Sequence, residues 1–336
     1  MMPRKISVLS FSVLLCVATN ATGHHGSAPF DTETRVTLEG VITKYDYRNP
    51  HGFVYLRTID SAGNPIDVAI EMVGSSLRPH GVTPDSLAPG ERVTAIVNPS
   101  RRAPSEWALG VEIIKEDGTV VPLSVRFARE IEQRSTGTAT NIAGVWVPRS
   151  EGFFNVVFGA GSWSLTDKGR QSLQEYDVTQ SSQAQCIAVP PPTLMVYGSI
   201  NVVEILNDRV LIHSDWMDAE RVIYMNDRSP TEAEIPALNG YSLGHWEGDT
   251  LVVDTTHFSE NNSGYAFGIA SGPQKHLIER FDVADNGTSM SYSFVLEDPE
   301  YLAETVSGEA RWDYRPDLKP DDVACDLESA GRYLSE

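Results

Sequence analysis

The sequence predicts a mainly β protein: an OB-like five-stranded barrel followed by a lipocalin/calycin-like antiparallel β-barrel. Three observations carry that expectation. Apolar and polar residues alternate with a period of two along most of the chain, and long helical periodicity is nearly absent. Turn-forming pairs recur at hairpin spacing, among them Asn207-Asp208, Asn226-Asp227 and Asn286-Gly287. The tract "NIAGVWVP" contains Gly144-x-Trp146, the Gly-x-Trp start seen in lipocalin-like barrels.

The chain opens with an export signature. Arg4 and Lys5 precede an uncharged apolar run from Ile6 to Ala18, and Ala21-Thr22-Gly23 closes it with small residues where a signal peptidase reads. The run is too short to span a bilayer of about 30 Å, so no stable membrane anchor is expected. Leu15 before Cys16 is too large for the usual lipoprotein motif. Residues 1–23 are therefore read as a cleaved signal peptide of a periplasmic or secreted protein, with His24 as the new N-terminus.

Residues 24–122 form the first expected domain. A strand runs from Thr34 to about Asp46, followed by "GFVYLRTID", the turn Ser61-Ala62-Gly63-Asn64, and "PIDVAIEMV". A short helical piece, "SSLRPHG", comes next, with Ser75 as its cap, and "ERVTAIVNP" and "EWALGVEII" add two strands. Three strands, a short helix and two strands is the order of an OB-like barrel. Residues 123–140 pass from a possible helix into a small polar tract and read as a linker. From 141 to 336 the strand segments are "NVVEILNDRVLIHSDW", "ERVIYMND", "YSLGHW", "DTLVVDTTHF", "HLIERFDV", "SMSYSFVLED" and "ETVSGEARWDY". In lipocalin-like barrels the Gly-x-Trp tryptophan often stacks on an arginine from a late strand, and Arg311 is the expected partner of Trp146.

Two groups of motifs carry a resemblance. His24-His25-Gly26, Phe30-Asp31 and Asn49-Pro50-His51 resemble the His-His-Ser, Phe-Asp and Asn-Pro-His of a family of uncharacterised exported bacterial proteins. "GHWEGDTLVVDT" and "HLIERF" resemble the "GRWEGDTLVVDT" and His-x-x-Glu-Arg-Phe of a companion family. Gly26 stands where the first family has serine, and His245 where the second has arginine. The resemblance implies a two-domain exported protein with a lipocalin-like second module, and it brings no established activity.

Charge narrows the partners. The formal net charge is −20, and losing Arg4 and Lys5 takes 26 basic residues to 24 against 46 acidic ones, so it becomes −22. Such a surface repels phosphate backbones and anionic headgroups, which disfavours nucleic acid and membrane-surface roles. Cys186 and Cys325 remain after the leader, and an oxidising compartment predicts a disulfide between them. No GxSxG elbow, P-loop, HExxH or GxGxxG before a helix is present, so nucleotide and flavin use have no support and no cofactor is expected.

Three functional classes follow. The leading one is an exported protein whose second barrel encloses a small apolar or aromatic molecule, lined from six tryptophans, twelve tyrosines and eleven phenylalanines. The second is a cofactor-independent isomerase, cyclase or lyase in the same cavity, using Asp254, His276, His245, Tyr241, Tyr224, His213 and Asp215 as acid–base groups. Alternation along residues 250–257 leaves open which face of that strand lines the lumen, and the reading requires Asp254 to point inward. The third is copper at the N-terminus. The free amine and Nδ1 of His24, joined by His51 or by His25, would make a nitrogen-rich site suited to Cu(II).

Overall fold

A computed structural model of the chain describes residues 29–125, 135–235, 237–265, 268–320 and 323–331. The first domain contains β1 (Val36–Asp46), β2 (His51–Ile59), β3 (Pro65–Val73), β4 (Arg92–Pro99), β5 (Trp107–Lys115) and β6 (Val120–Pro122). Sheet order is β3-β2-β1-β4-β5-β6, and a parallel β3–β5 pairing closes the first five strands into a barrel. Alternation sets the inward face: Val54, Leu56, Val68, Ile70, Met72, Ala95, Val97 and Ile113 are buried together in its core. The predicted short helix is a 3-10 helix, Ser75–His80. Its N-cap position is Gly74 rather than Ser75, which is the first residue of the helix.

The second domain closes nine strands: β7 (Gly144–Pro148), β8 (Asn201–Ile205), β9 (Arg209–Ser214), β10 (Ala219–Tyr224), β11 (Tyr241–Glu247), β12 (Thr250–Thr256), β13 (His276–Val283), β14 (Ser289–Glu297) and β15 (Val306–Tyr314). A ring with an odd number of strands cannot alternate direction all the way round, so one neighbouring pair must run parallel. That pair is β10–β11. Between β7 and β8 the chain contributes the helix α1 (Asp167–Glu175), capped by the Thr166 side chain, and then a buried stretch over 188–196. Val189, Leu194, Met195 and Val196 of that stretch pack into the same core as Trp146, Phe281, Tyr292 and Trp312.

Trp146 is fully buried, and its indole N–H donates to Ile142 O at 2.8 Å. Its aromatic neighbour is Tyr314, with ring centroids 4.9 Å apart, rather than Arg311. On β15 the inward positions are Ala310 and Trp312, so alternation turns Arg311 to solvent. Gly144 has φ +132°, and a Cβ there would lie 2.6 Å from the Tyr314 ring, so the glycine of the motif admits the aromatic pair.

The two domains meet where Asn49-Pro50-His51 receives the segment 323–331. Asn49 is 1% exposed, pairs with Cys325 in a parallel bridge, and accepts from Asp326 N at 2.8 Å. His51 N donates to Ser329 Oγ at 3.2 Å, and that hydroxyl donates to His51 O at 2.5 Å. Arg48 reaches Asp326 at 3.1 Å and Glu328 at 3.3 Å, beside the short helix α2 (Leu327–Gly331). The predicted disulfide is present: Cys186 and Cys325 are joined, with Cα atoms 5.7 Å apart, which fastens this segment to the second barrel. Among the described residues no helix is long and apolar enough to cross a membrane.

Replacing both cysteines by serine should release this segment first. The disulfide bridges a sequence separation of 139 residues. In the chain-entropy model a loop of that size constrains the unfolded state by about 5 kcal/mol. Hydrogen exchange of the doubly substituted protein should show faster exchange at Asp326 and Ser329, with β12–β14 still protected. Unchanged protection at those two amides would refute the fastening role.

Candidate functional site

One cleft of the second barrel lies at the end where β10 and β11 separate. Their pairing amounts to Ile223↔Ser242 and Tyr224↔Leu243. β10 stops at Tyr224, whereas β11 continues to Glu247 on its β12 partner. The gap is a cleft of about 420 Å³ lined by Ile205, Leu206, Met225, His245, Trp246 and polar residues of the adjoining turns. The lining is on balance more polar than apolar, and alternation explains the apolar side chains it does contain. Ile205 continues the inward series Asn201, Val203, and Trp246 continues Ser242, Gly244, so both point to the lumen side at the level where the wall ends. They are left 40% exposed each, and Leu206 46%. Gly244 belongs to the same series: a Cβ there would lie 2.7 Å from Met225 Sδ, so its absence lets Met225 lie across the seam.

Below this mouth the lumen is closed by polar groups rather than left open. Arg221 and Glu279, 1% and 0% exposed, form a two-pronged ion pair. Arg221 Nη1 donates to Glu279 Oε1 at 2.8 Å, and Nη2 donates to Oε2. Nη2 also donates to Thr255 Oγ1 at 3.0 Å and Ser242 Oγ at 3.3 Å, and Tyr292 Oη donates to Glu279 Oε1 at 2.9 Å. Burial, then the Glu279 charge, holds the Tyr292 hydroxyl well above its ordinary pKa, so it remains a donor. On the far side of the core, Lys275 is 1% exposed and donates to Pro191 O at 2.5 Å, with Phe258 and Tyr265 rings 4.4 and 4.7 Å away. Burial pushes the Lys275 ammonium down to about 7. Asp298, whose carboxyl is pushed up by burial, accepts from Tyr265 Oη at 2.9 Å and Gly272 N at 3.0 Å. Among the described residues the inward face of the barrel is packed by its own side chains around this polar cluster, and the cleft lies at its mouth.

The predicted acid–base residues fall into separate places. Asp254 and His276 do meet, with Oδ1 to Nε2 3.0 Å, but on the outer wall: Leu251, Val253 and Thr255 take the inward positions of β12, and Asp254 is turned outward. Glu297 adds a second carboxylate 3.9 Å from His276 Nδ1. Tyr224 and Tyr241 stack at 5.1 Å in a structural cluster: Arg228 lies 3.9 Å over the Tyr224 ring, Tyr224 Oη donates to Glu234 at 2.8 Å, and Tyr241 Oη donates to Arg228 O at 2.9 Å. His213 stands 3.6 Å from Asp218 on the surface. Asp215 is buried, where its Oδ1 accepts from Ile200 N at 2.8 Å. Of the seven, only His245 reaches the cleft, at its rim, 3.4 Å from Glu247.

For the metal reading, His51 places Nδ1 2.8 Å from Oε1 of Glu71, a carboxylate 2% exposed on β3. The ring N–H is not aligned on that oxygen, so the contact is an ion-pair approach rather than a well-formed hydrogen bond. His24 and His25 lie outside the described residues. Among the described residues no group of three or more His, Cys, Asp or Glu side chains is arranged to hold a metal ion.

Sequence reasoning missed Arg221, Glu279 and Trp246. The signal for Glu279 was present, because alternation in "HLIERF" puts it on the face of Leu277 and Phe281, where a carboxylate needs a buried cation. A family of unknown function, DUF6152, matches residues 12–107, a stretch that spans β1–β4 and contains Asn49-Pro50-His51. A search of curated proteins finds no match to the chain.

Two measurements probe the closed lumen. Arg221→Met leaves Glu279 buried without its cation and should destabilise the protein by about 3–5 kcal/mol in denaturant melts. A loss below about 1 kcal/mol would mean that the pair does not hold the barrel shut. Lys275 has its folded pKa pushed down from 10.5 to about 7. Between those values the unfolded chain binds the extra proton, so stability from this group is absent below pH about 7 and grows as pH rises toward 10. Lys275→Met should flatten that rise in melting temperature; parallel pH profiles for variant and wild type would refute the assignment.

Proposed function

We propose that the chain is an exported binding protein that holds a small apolar or aromatic molecule in the mouth of its second barrel. The observation that carries this reading is Trp246, a lumen-side tryptophan left 40% exposed in a cleft of about 420 Å³, with Ile205, Leu206 and Met225 around it. Removing such apolar surface from water supplies the affinity, and the indole face offers a flat platform for a planar ligand. Asn207, Asn226, Asp227 and His245 form the polar rim that would orient the ligand. With Asp227 at the rim and a chain of formal charge −20, neutral or cationic ligands are favoured over anionic ones. The leader expected at residues 1–23 supports a periplasmic or extracellular setting for this binding. The isomerase or lyase reading is the weaker one, because Asp254 and His276 face outward and Tyr224 and Tyr241 are engaged by Arg228 and Glu234.

Mass spectrometry of small molecules co-purifying with the periplasmic protein supplies candidate ligands, and tryptophan fluorescence measures their binding. Trp246→Ala should weaken binding by about 30-fold or more, the size expected of a central aromatic anchor. Unchanged affinity in that variant would remove the mouth as the binding site.

A further inference from the structure

We propose that the cleft takes a short, basic, extended peptide, which adds as a strand to the open edge of β11 and lays an aromatic side chain beside Trp246. The proposal rests on the reading of this cleft as the ligand site and names the class of ligand. β11 and β12 are joined by the two-residue loop Gly248-Asp249, with Glu247 directly opposite Thr250. Gly248 has φ +64°, as the first central position of a type II′ hairpin turn requires. In such a hairpin the residues flanking the loop bond to each other, and bonded and non-bonded pairs then alternate along the ladder. Glu247, His245 and Leu243 therefore direct their backbone N–H and C=O groups to β12. Trp246 directs both of its own the other way, across the seam.

β10 does not extend far enough to meet them. Its pairing with β11 ends at Tyr224↔Leu243, and among the described residues beyond that end none bonds to the Trp246 N–H or C=O. Open edge groups at the end of a wall are the template for one more strand. A small apolar molecule cannot satisfy them, whereas an antiparallel peptide residue opposite Trp246 exchanges both N–H···O bonds with it. The side chain of that residue falls on the same, lumen-side face as the indole. Opposed Cα atoms there are about 5.5 Å apart, close enough for a favourable aromatic pair. Asn207 of the β8–β9 turn and Asn226 beyond β10 line the other side of the cleft. Each amide offers a donor and an acceptor, which suits the outer edge of an extended peptide.

Charge sets the remaining preference. Asp227 is exposed on the rim, and the neighbouring Arg228 is paired with Glu234 rather than with it. On a chain of formal charge −20, lysine or arginine flanking the aromatic residue is favoured over acidic residues.

The probe is a set of acetylated, amidated pentapeptides Lys-x-Phe-x-Lys, with x valine, isoleucine or threonine, titrated calorimetrically into the protein. N-acetylphenylalaninamide is the small-molecule comparison. N-methylation of the phenylalanine nitrogen in the tightest peptide should cost about 10-fold or more, because one edge bond is deleted and close approach is blocked. Glutamate in place of both lysines should weaken binding by a similar factor. Trp246→Ala should cost about 30-fold, while Trp246→Phe keeps an aromatic face and most of the affinity. Hydrogen exchange at the Trp246 amide should slow about 10-fold or more when the peptide is bound. The absence of saturable binding by every peptide at millimolar concentration would overturn the proposal, as would equal affinity for the N-methylated peptide or an unprotected Trp246 amide. If N-acetylphenylalaninamide binds in a manner lost with Trp246→Ala and the peptides gain nothing over it, the peptide class falls and the cleft remains the ligand site. Indifference of every ligand to Trp246→Ala removes the cleft itself. Melting curves confirm that both variants are folded.

Discussion

Closing an odd number of strands into a ring forces one parallel contact, and both barrels of this protein obey that constraint. In the first domain it falls at β3–β5, where three residue pairs seal a small barrel around its core. In the second it falls at β10–β11, where two pairs suffice before the strands part. A parallel seam needs a crossover rather than a tight hairpin, and β10 and β11 are accordingly separated by residues 225–240 in the chain. They leave the wall unfinished on one side. The cleft under Trp246 is therefore a product of topology: the strand count demands a seam, the seam is short, and the lumen-side residues beyond it have nothing opposite them.

Polar closure of the lumen sets the depth of that cleft. Arg221 and Glu279 face each other across the barrel, from β10 and β13, and Ser242, Thr255 and Tyr292 satisfy much of what the pair leaves over. A buried ion pair of this kind contributes little net stability compared with apolar packing, yet removing either partner is costly. Its effect here is geometric. It ties β10 to β13, while the stretch 188–196 packs Val189, Leu194 and Met195 into the same apolar core.

Period-two alternation made the strands legible in the sequence. β1 to β5 and β8 to β15 fall where "GFVYLRTID", "ERVIYMND", "DTLVVDTTHF" and their neighbours place them, because half-buried strands write their two faces directly into the residue order. Three things were not legible. The direction of each face was ambiguous for "DTLVVDTTHF", since apolar residues occupy both sides of that strand, and Asp254 proved to face out. The filling of the lumen by 188–196 could not be read, because a Pro-rich stretch without periodicity carries no address. The closing of the wall by Arg221 joins residues 58 positions apart, a relation that local pattern does not express. The exposure of Trp246 belongs with the third of these, since it depends on where β10 ends.

The contact between Arg48-Asn49-Pro50-His51 and residues 323–331 spans sequence separations of up to 280 residues. Local strand pairings form early because they close small loops; this one has to wait for almost the whole molecule. Until residue 323 has been delivered, the first barrel exposes Asn49, a polar side chain that the finished molecule buries at 1% exposure. The joint therefore reports on completeness. A chain interrupted between β15 and residue 323 can build the first barrel and much of the second, yet it carries an open, unsatisfied seat that distinguishes it from the finished product.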